Sequence, residues 1–214
     1  MLHGVMDPQP GSFGFALFDG DRELVKTSCP MHGRDAAALP EFVEAQLAQI
    51  NLKLSDVKRW TVGSGPGSFT FLRVVAALAA GWKFGNADIT FRCVPGAVAV
   101  AAASGIKSGE TAGVLYDGRN KEILYFEVVN RDGSFESTGV TAVLNAEQAK
   151  EFFAQNHPEK LCGFECEADA IRKILPEDLT LTVCVPELAA LASNRAIEFN
   201  DDLNDLVYIR PAVF

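Results

Sequence analysis

The chain has 214 residues, 48% hydrophobic and 22% charged, with a formal net charge of −9. That composition excludes a disordered polyelectrolyte, and the acidic balance excludes a protein that grips a nucleic-acid backbone unaided through a basic face. No apolar run reaches the roughly 20 residues of a membrane-spanning helix, and residues 1–10 show no basic stretch followed by an apolar core. The expectation is a cytoplasmic protein with no membrane contact. Five cysteines, odd in number and irregularly spaced, read as reduced core thiols. Cys162 and Cys166 lack the further ligands of a zinc site, and no metal is expected.

In chain order, residues 2–6 open a sheet, 13–18 form a second strand, Asp19-Gly20 is a hairpin turn, and 23–29 return. Leu39, Phe42, Val43, Leu47 and Ile50 recur at helical spacing and predict a helix over 36–52. A short strand at 59–62 leads into a glycine-rich loop, 63–68, and then a helix, 69–84, apolar nearly all round. A strand at 90–94 and a helix at 96–103 close the first half. In the second half, strands at 113–116 and 122–129 flank a turn at Asp117-Gly118, and 135–143 is the third strand. Asn145 caps a helix reaching residue 156. A strand at 161–164, a helix at 167–174, a strand at 179–183 and a helix at 186–197 with proline in its first turn complete the pattern. Each half reads strand-strand-strand-helix-strand-helix-strand-helix. Such alternation predicts α/β layers, here in two lobes, 1–105 and 106–214.

Three meandering strands followed by strand–helix alternation, twice over, resemble the actin-like, sugar-kinase-like (ASKHA, ribonuclease H-like) superfamily. The glycine-rich segment narrows that. In Val62-Gly63-Ser64-Gly65-Pro66-Gly67-Ser68-Phe69-Thr70-Phe71-Leu72-Arg73 the glycines permit a tight strand-to-helix turn, and Ser68 can cap the helix. Backbone N–H groups there make a candidate anion loop from Gly65, Gly67, Ser68 and Thr70. The string resembles the Gly-x-Gly-Pro-Gly-Ser-Phe-Thr-Gly-x-Arg signature of the TsaB family. Met6-Asp7, His32 before Leu39-Pro40, Asp117-Gly118-Arg119 with Glu122, and Tyr208-Ile209-Arg210 resemble further family segments in the same order. The sequence departs from the family pattern at Pro8-Gln9, Gly33 and Phe71.

Superfamily enzymes hold ATP with a phosphate loop in each half. The first would span 7–12, where Pro8 and Pro10 have no N–H to give. The second would lie at Asp117 and Arg119, residue types suited to face a phosphate. Only Gly163 stands where an adenosine turn needs paired glycines. His3, His32 and His157 are too far apart for the His pair of a metalloprotease helix, and Gly65-Pro66-Gly67-Ser68-Phe69 is not a serine-hydrolase elbow. Arg73, alone on an apolar helix, is expected to be buried and anchored structurally.

The resemblance implies a scaffold with no catalytic residue and no cofactor, acting in tRNA threonylcarbamoyladenosine formation. It would bind and activate a TsaD homologue, meet TsaE through the complex and touch tRNA only indirectly. The implied contact lies on helices 36–52 and 69–84, at Leu39, Val43, Leu47, Ala76, Ala77 and Ala80, and the same surface can pair with itself as a homodimer. The alternative is a small ATP-dependent kinase or phosphatase with a degenerate nucleotide site.

Overall fold

The structure, a computed structural model, describes residues 1–31, 33–66 and 69–200, and at residues 34, 69 and 70 the backbone alone. Two compact units divide the chain: Met1–Gly96 joined by the segment that begins at Leu191, and Ala97–Ala190.

In the first unit, β1 (Leu2–Gln9), β2 (Ser12–Asp19) and β3 (Arg22–Pro30) form an antiparallel meander. β4 (Arg59–Gly63) and β5 (Thr90–Val94) add parallel strands on the other side of β1, giving the order β3-β2-β1-β4-β5. The crossovers carry α1 (Leu39–Ala48) and α2 (Phe69–Gly85). Pro40 lacks the N–H an interior helical position needs, so the α-helix begins at Leu39 and the preceding residues, Gly33–Ala38, wind as a 3-10 turn. The expected helix at 36–52 is therefore shorter at both ends. Leu39, Val43 and Leu47 pack against Phe13, Phe15 and Trp60 in the core. A Cβ at Gly4 would lie 2.4 Å from the Trp60 ring, so glycine in β1 is what admits that indole.

The second unit repeats the order. α3 (Ala97–Ala103) precedes β6 (Thr111–Arg119), β7 (Glu122–Arg131) and β8 (Ser134–Leu144), followed by α4 (Ala146–Phe153), β9 (Lys160–Gly163), α5 (Ala168–Arg172), β10 (Leu181–Val183) and the start of α6 (Leu188–Ala192), whose last two residues belong to the first unit. The sheet order, β10-β9-β6-β7-β8, matches that of the first unit strand for strand. The expected duplication is therefore real in topology. Asn145 caps α4 as read from the sequence: its side chain accepts from the Glu147 and Gln148 amides.

The structure corrects three expectations here. The β6–β7 turn is not Asp117-Gly118. β6 runs on to Arg119, and the turn falls at Asn120 and Lys121, whose φ angles are 51° and 63°. The helix expected at 167–174 is a 3-10 turn, Glu165–Glu167, followed by the short α5. The helix expected at 186–197 ends at Ala192, because Arg92 on β5 draws to itself the carbonyls of its last two residues and of residues beyond them. Its guanidinium donates to the carbonyls of Leu191 (2.9 Å), Ala192 (2.5 Å), Asn194 and Ile197 (3.2 Å), and its Nε to Thr61 Oγ1 (2.8 Å). The Phe199 ring covers the guanidinium at 4.5 Å, and Phe91 pairs with Asn200. No helix among the described residues is long and apolar enough to cross a membrane.

Candidate functional site

In open sheets of this kind, ligands gather at the carboxyl ends of the parallel strands. In the first unit those ends bring Asp7, Gly63 and Gly96 together. Asp7 Oδ1 lies where side chains at both glycines would stand, 2.0 Å from a Cβ at Gly63 and 3.1 Å from one at Gly96. Gly96 N–H donates to the Gly65 carbonyl at 2.8 Å and Ser64 N–H to Val94 at 2.9 Å, which ties the start of the glycine segment to β5. Gly65 has φ of 100°, a backbone state that favours glycine. Asp7 is 2% exposed; its Oδ2 accepts from Gln9 Nε2 at 2.9 Å, and Gln9 Oε1 accepts from Ser12 Oγ at 3.1 Å. Burial pushes the Asp7 carboxyl up to about 6, with the Gln9 hydrogen bond pulling the other way. The buried Ser64 Oγ has no hydrogen-bond partner among the described residues.

The expected first phosphate loop is not a loop. β1 continues through Gln9, with Asp7 opposite Gly14, Pro8 opposite Phe13 and Gln9 opposite Ser12, and the turn is Pro10-Gly11 with Gly11 at φ 68°. The two prolines have no N–H, and the acid beside them repels an anion. Gly67, Ser68 and His32 lie outside the described residues, as do Tyr208, Ile209 and Arg210, and Thr70 is described only as a helical position. Arg73 is exposed rather than buried.

The six expected contact residues are split. Leu39, Val43 and Leu47 are fully buried under α1, Ala76 is half-buried, and Ala77 and Ala80 are exposed on α2. The exposed positions of α2, residues 73, 77, 80, 81, 84 and 85, form one stripe, and Phe84 near its end is 97% exposed. The sequence reading passed over Phe84; its place seven residues after Ala77 on the same apolar helix was the available signal.

In the second unit, Asp117 and Arg119 do come together. Asp117 Oδ1 accepts from the Arg119 amide at 2.8 Å, and Glu167 Oε2 accepts from the Asp117 amide at 3.3 Å. Burial pushes the Glu167 carboxyl up to about 7. Both Asp117 and Arg119 line a cavity of about 590 Å³ beside α4 and α5. Cys162 is buried and Cys166 exposed, and among the described residues no three His, Cys, Asp or Glu side chains gather as metal ligands.

The doubled three-strand meander, with its strand–helix alternation, defines an actin-like, sugar-kinase-like fold. A family model described as TsaD, tRNA N6-adenosine threonylcarbamoyltransferase, matches residues 34–162, more than half of the chain. The chain belongs to that family. Its fold is similar to that of a Pseudomonas aeruginosa protein described as uncharacterized with similarity to peptidase YeaZ: TM-score 0.74, 20% identity, covering 98% of this chain and 99% of that one. YeaZ from Pseudomonas aeruginosa follows at TM-score 0.69 and 19% identity, covering 89% and 88%. The ethanolamine utilization protein EutJ from Carboxydothermus hydrogenoformans is similar at TM-score 0.50 and 13% identity, covering 89% and 87%. No curated protein sequence matches the chain.

Proposed function

We propose that this chain is a non-catalytic, cytoplasmic scaffold subunit of tRNA N6-threonylcarbamoyladenosine formation that docks a TsaD homologue through the outer stripe of α2. It takes no cofactor of its own and meets TsaE and tRNA only through the complex. Family membership and the YeaZ-like fold support the setting. The observation that carries the docking role is the stripe itself. Ala77, Ala80 and Gly81 let a neighbouring helix approach closely, and Phe84 stands beside them 97% exposed. Burying that ring at an interface contributes about 2 kcal/mol. Pro8 and Pro10, which have no N–H to give a phosphate in the β1–β2 hairpin, support the non-catalytic half of the reading.

Ala77→Glu and Phe84→Glu place a charge on this stripe. Both side chains are exposed, so the melting temperature should stay at the parent value, while an unpaired charge at an interface should abolish association. Sedimentation of the chain alone, which reads self-pairing, and with a TsaD homologue measures this. Variants that fold and associate like the parent would overturn the docking face.

A further inference from the structure

The five cysteines fall in different settings. Cys29 and Cys93 stand on β3 and β5 of the first unit, and Cys166 is exposed on the 3-10 turn after β9. Cys162 and Cys184, both buried, meet in the second unit. β10 is the outermost strand of its sheet and pairs in parallel with β9, with Thr182 opposite Cys162. Cys184 follows two residues on, so strand alternation turns both side chains to the same face. The Cys184 amide donates to the Gly163 carbonyl at 2.9 Å, which holds this residue against β9 just past the end of β10. Each thiol also rests on a backbone carbonyl: Cys162 Sγ donates to Gly113 at 3.9 Å and Cys184 Sγ to Thr182 at 4.0 Å. The two thiols hydrogen-bond to each other, and the Lys160 ammonium, two residues before Cys162 on β9, places a positive charge near both.

We propose that Cys162 and Cys184 form an oxidation-sensitive dithiol, which hydrogen peroxide closes to a disulfide that locks the edge strand β10 onto β9. Cys184 is the attacking sulfur. It keeps 7% exposure where Cys162 has none. The Cys162 hydrogen bond lowers the Cys184 thiol to about 7; burial opposes that, and the Lys160 charge adds to it. The same contact, together with burial, raises the thiol of Cys162, which therefore stays protonated as the donor. A thiolate is the form of cysteine that peroxide oxidises. Its electron pair takes one oxygen of the O–O bond and the sulfur becomes a sulfenic acid. The other oxygen leaves as hydroxide and takes up the proton that Cys184 gave up. The Cys162 sulfur then attacks the Cys184 sulfur, and the Cys162 proton leaves with the sulfenic hydroxyl as water. Two thiols have lost two electrons and one peroxide has become two waters. Bringing the sulfurs to about 2.05 Å asks for a closer approach. β10, three residues long with a neighbouring strand on one side, can shift to give it. The dithiol belongs to the other unit from α2, and either this site or the docking role can fail alone.

Treatment of the full chain with excess hydrogen peroxide, then iodoacetamide and digestion without reduction, tests this by mass spectrometry. The expected product is a peptide pair joining Cys162 to Cys184, with both residues unalkylated, that dithiothreitol separates. The crosslink restricts the unfolded chain between the two residues, so the melting temperature of the treated chain should exceed that of the reduced chain by about 5 °C. Cys184→Ser, compared with its own untreated form, should lose the peptide pair and the rise together. Cys166→Ser should keep both. A treated chain without the Cys162–Cys184 pair overturns the proposal, whether its thiols stay reduced, pass on to sulfinic acid or join Cys162 to Cys166. So does a Cys184→Ser chain whose melting temperature rises with peroxide as the parent's does.

Discussion

Asp7 is held out of water against the backbone of two glycines, and its carboxyl is raised from an ordinary value of 3.8 to about 6. The folded chain thus holds this proton at pH values where the unfolded chain has lost it. The stabilisation is full below about pH 4 and is lost as pH rises through about 6. Above that, keeping the charge buried costs about 3 kcal/mol. Asp7→Asn keeps an oxygen for Gln9 to donate to and removes the charge. Its melting temperature should exceed the parent's by roughly 6–12 °C at pH 8 and match it at pH 4, by scanning calorimetry. His3, lowered to about 4 chiefly by burial and then by Arg92 and Arg59, works in the opposite direction, but it is common to both chains and cancels in the comparison. A gap independent of pH would show that Asp7 does not ionise in the folded state. Pro8 and Pro10 already spoke against an anion cradle as letters in the sequence. The contact between Asp7 and Gly63 did not, because 56 residues separate a pair that only the β1–β4 register joins.

At the scale of elements, regular pieces were legible where local pattern decides them. Asn145 with Gln148 three residues on makes a reciprocal cap, and α4 begins where that pair stands. The element most misread is α6, and the reason is non-local: a single guanidinium 99 to 105 residues away takes four carbonyls. All five of its N–H donors are used. Burial lowers the Arg92 guanidinium to about 10, which leaves it charged at neutral pH. Arg92→Ala should therefore leave several carbonyls unsatisfied and destabilise the first unit by on the order of 3 kcal/mol in denaturant titration. The Phe91 and Asn200 amides should lose protection from hydrogen exchange first. Arg92→Lys should recover only part, since an ammonium lacks the planar fork. Equal stability of the Ala variant would mean that the segment is held by Phe199 and the Phe91 pairing instead.

At the scale of the whole chain, charge sets one expectation. With a net charge of −9 and the scaffold role proposed above, the chain alone should give no complex with tRNA in gel shift at about 150 mM salt. Addition of a TsaD homologue should bring both into one band. A complex of tRNA with this chain by itself would contradict indirect contact. The duplication belongs to this scale too. It was readable because each half repeats its element order in sequence, and strand–helix alternation leaves few ways to build a sheet.

By itself the sequence determined the α/β class, the doubled order of elements, the family signature between residues 62 and 73, and the acidic net charge. The class and element order follow from periodicity and turn chemistry, the charge from composition, and the signature from its resemblance to a known family; each is read from local sequence. The tertiary structure decided which face of each helix is spent on the core. Leu39, Val43 and Leu47 vanish beneath α1, while Ala77, Ala80 and Phe84 remain outside on α2. It also decided that β1 runs straight through the expected phosphate loop, and that Arg119, Lys121 and Lys173, from two separate elements, meet around one cavity. Burial and convergence depend on pairings between distant segments, and no window of the sequence contains both partners.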